Sequence, residues 1–186
     1  VGMLANGIIN SGALGQFPPA LEELHGASVQ AAIISLYSLV GIFGKIFIGW
    51  INDKFGVVVS ATYGCIMFGL AFVFMLLGQN TNMLYIMAVV FGFGNAIGTV
   101  IPPLVTSEVF GMEKYPEAYG MVNSATQVGL SLGSLLVASM YDLNGSYTLA
   151  WMLLLVLTAV TLFSWVGSCI VAKRYMASDV ELKQAQ

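Results

Sequence analysis

Lys45 stands inside the apolar run Gly44-Lys-Ile-Phe-Ile-Gly-Trp50, and a second charged pair, Asp53-Lys54, follows eight residues later. An ammonium in so apolar a setting needs an anionic ligand, a carboxylate partner or contact with water. Ser38, Gly41, Lys45, Gly49 and Asn52 are spaced three or four apart, so one helix would carry them along a single face. The spacing recurs in Gly120, Asn123, Gln127, Ser131 and Ser134, in Gly2, Asn6 and Asn10, and in Gly92, Asn95 and Thr99. Amides and hydroxyls in such stripes suit the orientation of a small polar ligand. The chain offers no paired acids, His cluster or Ser-His arrangement of the kind that chemical catalysis requires, which argues against an enzyme.

The elements that position these residues follow from composition. Of 186 residues, 58% are hydrophobic and 8% charged, and the mean hydropathy is +0.88, far from the roughly 25% charged of soluble domains. Apolar stretches over residues 57–78, 83–101 and 147–172 reach the length that crosses a hydrocarbon core. Stretches 29–51 and 118–141 are as long with a few polar residues, and 1–17 makes a sixth span. Spans are therefore expected near 1–17, 29–51, 57–78, 83–105, 118–141 and 147–172, with a polar tail over 175–186. The first begins without a flanking polar segment or initiator methionine, and neither a basic leader nor a cleavage site marks it as a signal peptide. The expectation is a C-terminal fragment of a larger protein.

Lys54, Lys114, Lys173, Arg174 and Lys183 all fall in connections or the tail on one side, with Lys45 close to the same boundary. The positive-inside rule makes that side cytoplasmic and places both chain ends there. The opposite connections hold Glu22, Glu23, His25 and Asp142 but no Lys or Arg; His25 reads as a solvated loop residue. Cys65 and Cys169 fall within spans as packed thiols. The short connections imply one antiparallel bundle with no second domain.

Two turns echo each other: Gly49-Trp-Ile-Asn-Asp53-Lys-Phe-Gly56 and Ala138-Ser-Met-Tyr-Asp142-Leu-Asn-Gly145. One lies inside and the other outside, which suggests a three-span unit repeated in inverted orientation, an arrangement that places substrate near the midplane between repeats. Lipid-facing amides are costly, so the four polar stripes should face a shared aqueous pathway, with spans three and six as outer supports. Asn and Gln also bond helices to one another, and that is the plainer reading of any single residue. Lys45 lies about 10 Å before the helix end at Asn52, at about 1.5 Å per residue. A lysine there costs about 2.5–3.5 kcal/mol on insertion scales. Its stem could snorkel toward the surface, but its place on the polar stripe favours an anion site. No acidic residue lies deep in any span to neutralise it. Gly94-x-x-x-Gly98 and Gly129-x-x-x-Gly133 provide for close helix approach. The run Gly92-Phe-Gly-Asn-Ala-Ile-Gly98 lacks the spacing of a nucleotide loop.

Gly49-x-x-x-Asp53-Lys54-x-Gly56 resembles the cytoplasmic signature loop of the major facilitator superfamily, which normally continues into two basic residues where this chain has Val57 and Val58. The resemblance covers the whole chain as a C-terminal half. Within that superfamily, the 44–56 stretch, Ser107-Glu108-Val109-Phe110-Gly111 and Tyr141-Asp142-Leu143-Asn144-Gly145-Ser146-Tyr147 are similar to the oxalate/formate antiporter and monocarboxylate transporter families. The resemblance implies an all-α integral membrane fold: a six-helix bundle of two inverted three-helix repeats, half of a twelve-helix transporter, with an N-terminal six-span half outside this chain. It implies a secondary transporter of small organic anions in the plasma (inner) membrane, working by alternating access with proton symport or anion exchange. Lys45 takes the place of the family's carboxylate-binding cation, with Ser38, Asn6, Asn10, Asn95, Asn123 and Gln127 around the substrate. Oxalate-type members carry a second cation on the fifth span, absent from 118–141 here, so the resemblance favours a monocarboxylate. Asp53 would contact the helix start near span five and Lys54 would pair with Glu108 in the inner loop, with Gly49 and Gly56 shaping the gate. No cofactor, metal or nucleic acid is expected. The alternative is a six-span membrane scaffold or assembly subunit without transport activity.

Overall fold

The computed structural model describes the backbone of residues 1–184 and the side chains of residues 1–175; Ala185 and Gln186, the end of the expected tail, lie outside the described residues. The described chain is helical, with no strand. In order come α1 (Gly2–His25), α2 (Ala27–Phe55), α3 (Val57–Leu76), α4 (Thr81–Gly94), a 3₁₀ turn (Asn95–Gly98), α5 (Ile101–Asn144) and α6 (Thr148–Gln184). Four helical stretches are long and apolar enough to cross a membrane: Ala27–Phe55, Val57–Leu76, Thr81–Asn144 and Thr148–Tyr175. Their outward faces are apolar, with Ile46 68% and Phe163 74% exposed. Acyl chains accommodate such faces, whereas water would not.

Two connections expected as loops are helical. α1 runs through Pro18 and Pro19 to His25, and only Gly26 separates it from α2. The expected inner loop at Ser107–Gly111 belongs to α5, which breaks at Gly111 with φ 74 and ψ 163. That conformation is open to glycine because a Cβ would strain it. His25 is also no solvated loop residue. It is half-buried, its Nε2 lies 2.7 Å from Gly78 O and its Nδ1 3.3 Å from Thr81 Oγ1, so it ties the end of α1 to the α3–α4 turn.

The helices pack in pairs, α1 on α5 and α2 on α4, with α3 against α4 and α6. Small residues allow the tightest of these contacts. A Cβ on Gly129 would fall on Leu4 O, and one on Gly133 would fall on Ile8 O. The two glycines let the α1 and α5 backbones touch, and dispersion between close backbones is a main source of helix association where water is absent. Farther out, Phe17 meets Phe91 at 4.9 Å and Trp151 at 5.2 Å, edge to face, an arrangement favoured by the ring quadrupoles. Cys65 and Cys169 are buried and unbridged.

The break between α4 and α5 has a sequence cause. Pro102 and Pro103 lack N–H groups, so the carbonyls four residues earlier, Gly98 and Thr99, lose their α-helical partners. The chain tightens into the 3₁₀ turn there and resumes as a helix with proline in its first turn.

Candidate functional site

That break opens on a cavity of about 250 Å³ lined by α1 (Asn6, Gly7, Asn10, Leu14), α2 (Lys45), the break itself (Asn95, Gly98, Thr99) and α5 (Thr126, Leu130). Neither α3 nor α6 contributes to it. Four residues expected at a site, Lys45, Asn6, Asn10 and Asn95, meet here. Ser38 lies exposed on α2 outside the lining, as does Gln127 on α5; Asn123 is half-buried and also outside it.

Each cavity residue owes its place to local structure. Asn6 and Asn10 are one helical turn apart, and Asn10 Nδ2 donates to both Asn6 O and Asn6 Oδ1 at 3.2 Å. Asn10 is also pressed against the 3₁₀ turn, where a Cβ on Gly98 would collide with its amide. Asn6 is fully buried and its Nδ2 has no partner. Lys45, expected as a buried charge, is exposed instead, because its face of α2 is left uncovered beside the cavity. Among the described residues it makes no hydrogen bond or ion pair.

Thr126 was not legible as a lining residue. It falls between the stripe positions Asn123 and Gln127, and its hydroxyl donates to Val122 O at 3.3 Å, the habit of any helical threonine. What exposes it to the cavity is the α1–α5 contact, which follows from Gly7 and Gly129 and not from a polar pattern.

The expected pair between Lys54 and Glu108 does not form. Glu108 Oε1 lies 3.1 Å from Lys173 Nζ at the end of α6. The Lys54 ammonium sits over the Trp50 ring at 5.1 Å and the Phe55 ring at 5.4 Å, a cation–π arrangement on its own helix. Glu108 is drawn to α6 because the first part of α5 ends beside Lys173, while Lys54 turns to the aromatic side of α2. Asp53 is exposed and makes no hydrogen bond or ion pair among the described residues. The link from α2 to the start of α3 is made by its neighbour, with Ser60 Oγ donating to Asn52 Oδ1 at 3.5 Å. Gly49 is half-buried, with open space where a Cβ would project, and Gly56 ends α2 by donating to Asn52 O at 2.8 Å. Gly145 ends α5 in the same register, donating to Tyr141 O at 2.7 Å. Among the described residues, no group of three or more His, Cys, Asp or Glu side chains converges as a metal site would require.

Long apolar helices around a cavity lined by amides and a single lysine define a multi-pass helical membrane protein. The chain belongs to the Major Facilitator Superfamily, whose family model matches residues 1–181. It is 27% identical to monocarboxylate transporter 12 of Homo sapiens over 135 residues, 69% of this chain and 26% of that protein. It is 29% identical to monocarboxylate transporter 9 of Pongo abelii over 152 residues, 74% of this chain and 29% of that protein. The alignments thus span less than a third of these curated relatives, which are transporters by name and not enzymes. No solved structure matches.

Proposed function

We propose that the chain forms a six-span half of a secondary active transporter that carries small organic anions of the monocarboxylate type by alternating access. The observation that carries this reading is Lys45: a cation without a carboxylate partner among the described residues, on a cavity whose other lining is three asparagines, two threonines, two glycines and two leucines. An anionic substrate would supply the missing counter-charge, and a site on a broken helix between packed pairs suits a midplane binding position. A further six-span half, on the N-terminal side, would close the uncovered face of α2 and α5. Ser38, Asn123 and Gln127, outside the cavity in this arrangement, would reach substrate across that second wall.

The sequence echo between Gly49–Gly56 and Ala138–Gly145 is what supports the inverted three-helix repeat. Gly49, Asp53, Lys54 and Gly56 would form the inner-face loop. Asp53 and Lys54, exposed and without ion pairs among the described residues, would meet the other half as the transporter rocks. The distribution of Lys and Arg supports cytoplasmic termini, and a plasma (inner) membrane setting goes with the transporter reading. Proton symport or anion exchange would drive the cycle.

Reconstitution of the native full-length product in liposomes tests the reading. Saturable uptake of labelled lactate or formate is expected, accelerated by an inward proton gradient or by internal anion. A product that neither moves nor is thermally stabilised by these anions would instead be a membrane scaffold.

A further inference from the structure

A second cavity, of about 210 Å³, lies at the end of the bundle opposite Lys54. Glu23 near the end of α1, Gln79 in the α3–α4 turn, and Tyr141, Tyr147 and Trp151 around the α5–α6 turn contribute to its walls. It shares no residue with the Lys45 cavity. Glu23 is its only charged lining residue. Tyr141 Oη donates to Glu23 Oε1 at 2.8 Å, and Glu23 Oε2 has no hydrogen bond or ion pair among the described residues. A phenol supplies one hydrogen, so the carboxylate keeps its charge and most of its acceptor sites. The chain brings no lysine or arginine to answer it. Residues 18–28, 79–82 and 142–146, the connections at this end, add Glu22, His25 and Asp142 but no Lys or Arg.

What stands beside the carboxylate is aromatic. Tyr141, Tyr147 and Trp151 form a column of stacked rings, with centroids 4.3 Å and 5.4 Å apart in successive pairs. Phe72 continues it 6.2 Å beyond Trp151, and these last two rings are buried and anchor the column. Tyr141 is the outer end, so one of its faces carries no stacked ring among the described residues. Ring faces attract cations, and quaternary ammonium groups are the characteristic ligands of sites built from aromatic rings. A metal ion would want several acidic or imidazole ligands, and among the described residues no three such groups converge.

We infer that this cavity binds a methylated ammonium group, its charge held by Glu23 and its methyl groups set against Tyr141 and the ring column. A free quaternary amine and the choline headgroup of a membrane lipid carry this same chemistry, and the cavity stands at helix ends, the level at which headgroups lie. Its volume is below the roughly 300–1,000 Å³ of sites for drug-sized ligands, which suits a group of a few heavy atoms. Because no residue is shared with the Lys45 cavity, the inference stands or falls apart from the anion-site reading.

The test uses choline chloride as the probe and the thermal unfolding midpoint of the native full-length product as the readout, with sodium chloride at equal ionic strength as the reference. A ligand of the folded state raises the midpoint in proportion to its occupancy. In a detergent without choline groups, choline should do so with half-saturation on the order of millimolar, in keeping with one charge pair and one ring; sodium should not. Glu23→Gln removes the charge while keeping an acceptor for Tyr141, and should raise the half-saturating concentration about tenfold or more. Tyr141→Leu should weaken binding severalfold, whereas Tyr141→Phe keeps the ring and should stay within about twofold of wild type. Asp142→Asn makes the same charge change at the same end but outside the cavity lining, and should also stay within about twofold. Glu23 and Asp142 are exposed, so neither substitution disturbs packing. In nanodiscs, a choline response present in phosphatidylglycerol and absent in phosphatidylcholine identifies the lipid headgroup as the occupant; a response in both identifies a free cation. A choline effect no greater than that of sodium overturns the inference. So does an unchanged choline response in Glu23→Gln, or equal weakening by Glu23→Gln and Asp142→Asn.

Discussion

Glu108 on α5 holds Lys173 on α6 at 3.1 Å, so the acid expected to meet the α2 loop is engaged within another helix pair. Glu108 is 31% and Lys173 63% exposed, and ion pairs this open contribute about 0–1 kcal/mol. Glu108→Gln and Lys173→Ala should each lower thermal stability by less than about 1 kcal/mol, less still in high salt. The double variant should cost no more than the larger single one. Melting curves of the purified protein at two ionic strengths check this; additive losses would mean the two side chains act independently.

The break in α5 depends on Gly111, whose φ of 74 and ψ of 163 belong to a region that glycine alone occupies readily. Gly111→Ala is expected to cost about 1–3 kcal/mol although nothing lies within 4 Å of the added Cβ. Gly120→Ala, which also meets nothing within 4 Å but lies on regular helix, should be neutral or stabilising by up to about 1 kcal/mol. Comparing the two melting points separates backbone strain from crowding.

Along the α1–α5 seam, crowding decides. A Cβ at Gly133 would run into Ile8 O and lie 2.9 Å from Gly12 N, backbone that no rotamer change can move aside. Gly133→Ala should destabilise by about 1–3 kcal/mol or more and Gly133→Val further, with loss of monodisperse protein on size exclusion. Wild-type stability in Gly133→Val would show that the helices are not in backbone contact.

The broad architecture was legible because bilayer thickness and hydropathy constrain long apolar helices directly. The stripe residues Asn6, Asn10, Lys45 and Asn95 were legible for the related reason that amides and charges need a wet or protein-lined face. Details set by packing were not. Thr126 reaches the cavity through glycines of α1 and α5, and Lys54 turns to Trp50 because aromatic rings lie one turn away on its own helix. His25 sits in a polar stretch that reads as loop, yet the continuation of α1 past Pro18 and Pro19 carries it to Gly78 and Thr81. Glu108 had several basic residues on its side of the bundle, and spacing alone does not rank Lys54 against Lys173.

The central claim is that Lys45 holds a carboxylate, and its most direct test is saturable uptake of labelled lactate or formate by Lys45→Ala in the native full-length product. The expected result is loss of uptake with normal membrane abundance, and partial retention in Lys45→Arg, which keeps the charge on a different fork of donors. Wild-type uptake in Lys45→Ala would contradict the anion site and leave the lysine an incidental cation at the edge of the cavity.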